Sequence, residues 1–485
     1  MLRFPMFYAI VYTLFHILLV LNSNLGITPD GISYLRIAES IVSAEPFYVD
    51  GSFISHWPPL YPLSIAFVIS SLNVSALTAA TIISSVTSFS FILFTNLIIT
   101  RFLKSWVTIL MFNIILFGGA SMGVMQMGLS EPLFMCFLMI TVLALINLDK
   151  ISIWNAIVLG VLCGLMVMTR FAAIGLVLGI GIYMLIQSSS IIKTVAMSVV
   201  FVLSLLPWYL FTQAQNQAPM DRETVFHLIT LKHLKGLAGS FYRFINPTEI
   251  VVLGILTLIA LGILIWNKRA QLMGSLKKLF SESYSQLFIL LMCSYLLFLF
   301  VSISFFDYKT PLNVRMLFPI YVLLLLTLFY IIRNIKALKV NWSMQLSLGI
   351  VVLVHLVSTT TYASDYINNG VGFTSEKWTN SETLLACKDF DQRTIYSNAS
   401  NVLAFNNFKG VRFLPVKEDG GSTLVRKDYN ENYERMIHEV IKGDGAIVIF
   451  DNKKWWPYLP SKEEISKSLE NSSEVLILND GKIYY

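Results

Sequence analysis

The chain has 485 residues, 55% of them hydrophobic and only 13% charged, with a mean hydropathy of +0.68. An ordinary globular protein carries about 25% charged residues, so a secreted or cytosolic enzyme is excluded and a polytopic membrane protein is expected. The formal net charge of +6 is unevenly spread: residues 1–362 hold 20 Lys and Arg against 11 Asp and Glu, whereas residues 363–485 hold 15 against 18. The basic excess belongs to membrane topology, and no nucleic-acid partner is implied.

Arg3 and the apolar run to Leu21 resemble a signal peptide. Asn22–Asn24 offers no small-x-small cleavage site, so an uncleaved first helix is expected. A spanning helix needs about 20 mostly apolar residues. Eleven stretches qualify, at about 4–21, 76–100, 105–122, 131–148, 153–169, 171–188, 191–211, 248–266, 285–305, 316–332 and 343–361. The run Leu60–Leu72 has only 13 residues and is expected to lie against the outer surface.

The positive-inside rule tests this count. With the N-terminus inside, the inner loops receive Arg3, Arg101, Lys104, Lys150, Lys193, Lys268, Arg269, Lys277, Lys278, Arg333, Lys336 and Lys339, with only Asp149 and Glu282 as acids. Counting Leu60–Leu72 as a span would move eleven of those twelve bases outside. The expectation is therefore an all-α membrane domain over 1–362 with about eleven transmembrane helices and a long outer loop at 22–75. An outer domain follows at 363–485. It alternates strand-like runs (Thr394–Ser397, Ala446–Phe450, Val475–Leu478) with a helical stretch near Asn430–Ile441, and so reads as a small α/β domain. Gly420-Gly421-Ser422 reads as a loop. Cys136, Cys163 and Cys293 lie in apolar runs and Cys387 stands alone in the tail, which cannot build a disulfide framework.

The first outer loop carries Asp30 just beyond the first span, ahead of an amphipathic stretch with Ile32, Leu35, Ile37 and Ile41. A carboxylate there suits an N-cap as well as chemistry. Three prolines in Pro58–Pro62 suit a helix start.

Asp30 with Tyr34 and Ala38, followed downstream by Pro58-Pro59-Leu60-Tyr61-Pro62, resembles the first outer loop of GT-C glycosyltransferases. The branch is that of the protein O-mannosyltransferases and the aminoarabinose transferases of lipid A. Further resemblances follow in order: Leu129-Ser130-Glu131-Pro132, Met168-Thr169-Arg170-Phe171, Pro207-Trp208, Asn313-Val314-Arg315-Met316, and in the tail Ile395-Tyr396-Ser397-Asn398 and Arg412-Phe413-Leu414-Pro415.

The resemblance implies a GT-C fold and transfer of a sugar from a polyprenyl-phosphate donor, with inversion, to a hydroxyl of a glycan, lipid or protein acceptor. It implies an integral protein of a bacterial inner (plasma) membrane, among membrane lipids, with a cytoplasmic N-terminus and an extracytoplasmic tail. An acceptor hydroxyl is a poor nucleophile and needs a carboxylate to take its proton. Asp30 matches the family's catalytic Asp. The leaving phosphate needs cationic partners. Arg315, Arg170 and Lys309 are the candidates at outer helix ends, and snorkelling to the interface is the structural alternative for each.

Glu131 falls where the protein mannosyltransferases carry a second acid, and with Tyr34 and His56 it is the candidate for the acceptor or second acidic site. As an alternative, Glu131 beside Pro132 complements a helix dipole. Two carboxylates and His56 offer a divalent ion some donors, but no HxxxH, CxxC or DxD spacing supports one, and no cofactor is assigned. Gly31 replaces the acid that follows the catalytic Asp in the protein mannosyltransferases, which counts against a protein acceptor.

His227 and His233 have a poor metal spacing and read as surface or interfacial residues. Lys232–Lys235 with Phe241–Arg243 reads as an amphipathic helix on anionic lipid. Trp455-Trp456-Pro457-Tyr458 reads as packing within the tail or as a carbohydrate-stacking surface. The alternative to an enzyme is a transporter or flippase of lipid-linked substrates, which predicts charges buried mid-helix and broken helices in paired halves.

Overall fold

The computed structural model describes residues 3–485 apart from 50, 148–151, 189, 219–223, 248–249, 261, 264–265, 267–281, 335–341, 419–423 and 471–472. Lys150, Lys268, Arg269, Lys277, Lys278, Lys336, Lys339, Asp149 and the Gly420-Gly421-Ser422 loop lie outside the described residues.

The chain opens with α1 (Arg3–Ser23), α2 (Pro29–Val42), a hairpin of β1 (Tyr48–Val49) and β2 (Ser52–Phe53), α3 (Leu60–Leu72), α4 (Ala76–Phe102), α5 (Trp106–Leu116) and α6 (Gly119–Met125). It continues through α7 (Glu131–Ile146), α8 (Ile153–Thr169), α9 (Ile174–Ser188), α10 (Ile191–Ala214), α11 (Leu231–Ile245), α12 (Val251–Ala260), α13 (Ser283–Phe305), α14 (Val314–Asn334) and α15 (Trp342–Asn369). Among the described residues six helices are long and apolar enough to cross a membrane: α1, α4, α10, α13, α14 and α15. The expected span at 105–122 is instead the pair α5 and α6, bent by 59°. The stretches expected at 131–148, 153–169, 171–188 and 248–266 fall on shorter apolar helices. The chain is an integral, polytopic membrane protein.

Lipid offers no water to an opened helix, so a break must be satisfied from inside the protein. At the α5–α6 bend, Tyr321 donates to the Ile115 carbonyl at 2.9 Å, Thr359 to that of Phe117 at 3.2 Å, and the Gly119 amide donates to Ser358 Oγ at 3.2 Å. Asn96 and Asn113 exchange amide hydrogen bonds of 2.9 and 2.8 Å between α4 and α5, a polar tie of the kind that holds membrane helices together.

The tail contributes α16 (Glu376–Thr379), α17 (Glu382–Ala386), β3 (Thr394–Ser397), α18 (Ser400–Phe405), β4 (Val411–Phe413), α19 (Tyr429–Ile441), β5 (Gly445–Phe450), α20 (Lys462–Leu469), β6 (Val475–Leu478) and β7 (Gly481–Tyr484). Its sheet runs β4-β3-β5-β7-β6, with β3 parallel to β4 and β5, and β7 antiparallel to β5 and β6. The central strand β5 is buried along its whole length.

Two features tie the tail to the first loop. α15 runs through the expected boundary at 362/363 to Asn369, and its buried Tyr366 donates to the Asn24 carbonyl. One apolar cluster then joins Ile32, Leu35, Tyr61 and Leu129 to Ile395, Val402, Phe450 and Ile483. The stretch Leu25–Ile27 is gripped from both sides: the Gly26 amide donates to the Gln126 carbonyl at 3.1 Å and its carbonyl accepts from the Gly128 amide at 2.7 Å, while the Phe373 amide donates to the Ile27 carbonyl at 2.8 Å.

Candidate functional site

That grip fixes where α2 begins. Thr28 is its N-cap, with Oγ1 accepting the Gly31 amide at 3.2 Å, and Pro29 presets the first turn. The N-cap reading of Asp30 is therefore corrected. Thr28 already satisfies the free amide, which leaves the Asp30 carboxylate at the positive end of the helix for other partners.

Glu131 opens α7 beside Pro132 with its side chain only 3% exposed. Arg170 caps the C-terminus of α8 in an extended conformation, before the turn Phe171–Ala173. Arg315 lies in the first turn of α14, where Asn313 Oδ1 accepts the Met316 amide at 3.0 Å. These four side chains form one chain of contacts. Arg315 Nη1 donates to Asp30 Oδ2 at 2.6 Å, Arg315 Nε to Glu131 Oε1, and Arg170 Nη1 meets the same Glu131 oxygen. Arg170 Nη2 reaches Met316 Sδ at 3.2 Å.

Among the described residues, Arg315 Nη2 and Asp30 Oδ1 have no hydrogen-bond partner. Glu131 Oε2 is buried and likewise unpaired among them.

Asp30, Arg170 and Arg315 line a cavity of about 520 Å³, and Tyr34, His56 and Lys309 line it too. Its apolar wall comes from α13, through Phe298, Leu299 and Ile303. Tyr34 holds the site together from the side. Its hydroxyl pairs with Ser130 Oγ at 3.3 Å, and its ring sits edge-on between Trp57 and Tyr61 at 5.3 and 5.0 Å. Burial, with the Asp30 charge second, pushes its phenol up to about 12, so it stays protonated at neutral pH. His56 packs against Trp57, with ring centroids 4.8 Å apart. Lys309 touches none of the four; its Nζ stands 3.7 Å from Glu418 Oε2.

Asp30 and Glu131 share the Arg315 guanidinium. Among the described residues no three His, Cys, Asp or Glu side chains come together as a metal site.

Gly31 has a steric reason. A Cβ there would stand 2.9 Å from the Gly128 carbonyl oxygen, so the acid that follows Asp30 in the protein mannosyltransferases has no room. His233 is also corrected from a surface residue. It is buried, its Nδ1 faces the Thr230 hydroxyl at 2.9 Å, and its Nε2 meets the Tyr308 carbonyl at 2.8 Å.

Sequence reasoning missed Ser130, Met316 and the tail residue Glu418 as partners of site residues. The first two adjoin Glu131 and Arg315, so adjacency was the available signal. Nothing in the sequence pairs Glu418 with Lys309.

ArnT from Cupriavidus metallidurans, bound to undecaprenyl phosphate, superposes with a TM-score of 0.58 at 10% identity over 98% of this chain and 97% of its own. Its apo form gives 0.59 at 9% identity over 99% and 97%. The arabinofuranosyltransferase AftD from Mycobacteria gives 0.52 at 13% identity, over 100% of this chain and 40% of AftD. The chain shares its overall fold with these membrane glycosyltransferase structures. No family model matches the chain, and no curated protein matches it in sequence. In this chain that fold draws Asp30, Glu131, Arg170 and Arg315 together from four separate helix ends.

Proposed function

We propose that the chain is an inverting glycosyltransferase that moves a sugar from a polyprenyl-phosphate donor to an acceptor hydroxyl at the outer face of a bacterial plasma membrane. The observation that carries this reading is the Asp30–Arg315–Glu131–Arg170 chain beside a cavity with an apolar wall. The undecaprenyl phosphate held by ArnT supports the donor class.

Asp30 is the general base. One of its oxygens is anchored by Arg315 and the other is unpaired among the described residues, so it takes the acceptor proton as the acceptor oxygen attacks the anomeric carbon. The bond from that carbon to the phosphate oxygen breaks on the opposite side, and polyprenyl phosphate leaves with the electron pair. The remaining Nη2 donors of Arg315, then Arg170 and Lys309, meet that growing negative charge. Glu131 neither attacks nor leaves; it holds both guanidiniums in register.

The same reading takes eleven spans, with a cytoplasmic N-terminus and 363–485 outside as a distinct domain. A transporter is less consistent with charges gathered at helix ends on one side of the bundle. The acceptor is a glycan, a lipid or a protein.

The test uses the full chain reconstituted with lipid-linked donors extracted from its own host. Asp30→Asn is expected to lower donor turnover about 10²–10⁴-fold while leaving undecaprenyl phosphate binding intact. Turnover equal to the parent overturns the assignment.

A further inference from the structure

The segment Phe306–Asn313 joins α13 to α14 and supplies much of one wall of the Asp30 cavity. On one side it is fastened to α11, where His233 Nε2 meets the Tyr308 carbonyl at 2.8 Å and Ser240 donates to that of Leu312 at 2.9 Å. On the other side it meets the tail through Lys309. The Lys309 ammonium stands 4.8 Å from the centre of the Tyr458 ring, over its face, and 3.7 Å from Glu418 Oε2.

The tail holds this receptor in a defined shape. The Lys417 amide donates to the Tyr458 carbonyl at 2.8 Å, which keeps Glu418 and Tyr458 adjacent. Leu459 is buried. The Trp456 ring lies parallel to that of Tyr458, 9° between planes and 5.9 Å between centroids, and Lys454 covers Trp456 at 5.0 Å. The aromatic run of the tail thus offers one ring to a cation from the membrane part, which a surface for stacking sugars would not need.

We propose that Tyr458 and Glu418 are positioning residues of the tail that hold the Lys309 ammonium at the rim of the Asp30 cavity, facing the phosphate of a lipid-linked donor. This rests on the proposed transferase reading. Arg170 and Arg315 are each committed to a carboxylate of the site. Lys309 is a lining cation that meets two residues of the tail, Glu418 and Tyr458. A lysine has several rotatable bonds to order, and a ring face with a nearby carboxylate restricts them before the ligand arrives.

The probe is undecaprenyl phosphate titrated into the full chain in nanodiscs, with the thermal midpoint recorded alongside. Tyr458→Ala is expected to weaken binding about threefold to tenfold with an unchanged midpoint, and Tyr458→Phe, which keeps a ring face, to stay within about twofold of the parent. Glu418→Gln is expected to weaken it about twofold to threefold. In a Lys309→Ala background, Tyr458→Ala is expected to add nothing. Equal weakening in both backgrounds, or failure of Phe to rescue, would mean a merely structural role and overturn the proposal. Parent-like binding by Tyr458→Ala also overturns it, while leaving the lipid-donor reading standing. A parent chain that does not bind undecaprenyl phosphate removes both.

Discussion

A guanidinium in the first turn of a helix faces the positive end of the helix dipole. Arg315 occupies that position because carboxylates from α2 and α7 meet it there. Glu131 is the more deeply buried of the two, and losing one partner of a buried ion pair costs about 3–5 kcal/mol. Glu131→Gln is expected to lower stability by about that amount, read as a fall in the thermal midpoint in detergent, and to impair Arg170 and Arg315 together. Arg315→Lys keeps the charge but cannot contact two acids and a ligand with a fixed fork. Donor turnover is expected to fall about tenfold or more, and parent-like turnover would show that the fork is dispensable. Asp30, Glu131, Arg170 and Arg315 were legible in the sequence because each stands where an apolar run begins or ends. Their mutual contacts were not, since they come from helices far apart in the chain. Thr28 was hidden for a different reason: Asp30, two residues on, is an equally good cap by composition.

Among the elements, the grip on Leu25–Ile27 sets the approach to α2. Gly372 sits opposite at φ +70°, and a Cβ there would stand 2.8 Å from the Ile27 nitrogen. Gly372→Ala therefore combines a left-handed backbone, about 1–2 kcal/mol against any other residue, with a backbone collision. It is expected to lower both the thermal midpoint and activity, and an unchanged midpoint would argue against the grip.

Within the tail, Asp480 Oδ1 accepts from the Thr383 amide at 3.0 Å and from its hydroxyl at 2.6 Å, and Oδ2 accepts from Ser381. Burial works to raise its carboxyl, but these bonds outweigh burial and hold it below its ordinary value. Such a group stabilises above the ordinary carboxylate range, and its contribution is lost as pH falls through the lowered native value. Asp480→Asn is expected to speed amide exchange over 382–386 at pH 7, with the difference from the parent shrinking in acid. The strands β3, β5 and β6 and helix α19 were readable from their patterns. β4 and β7 were not: β4 has only three residues, and β7 opens on a glycine and carries Lys482. The bend between α5 and α6 escaped because Gly118 and Gly119 lie inside a run that is apolar on both sides.

At the scale of the whole molecule, the first loop and the tail share an apolar core, so the surface that carries Asp30 is built by residues from both ends of the chain. Charge bias suggested that the two lie on one side of the membrane, but composition gave no sign that they pack together. The proposed orientation can be tested with an impermeant thiol reagent on intact cells. Cys387 is fully buried, so the probe belongs at Val425, which is 78% exposed. Val425→Cys is expected to label without lysis, and labelling only after lysis would invert the topology.

The central claim, a carboxylate that activates an acceptor against a lipid-linked sugar, is tested most directly by profiling polyprenyl-phosphate sugars in host cells. Cells lacking the chain, and cells carrying only Asp30→Asn, are expected to accumulate the same lipid-linked sugar, which the parent chain clears. An unaltered lipid profile in both, or an Asp30→Asn chain that clears the donor as the parent does, would contradict it.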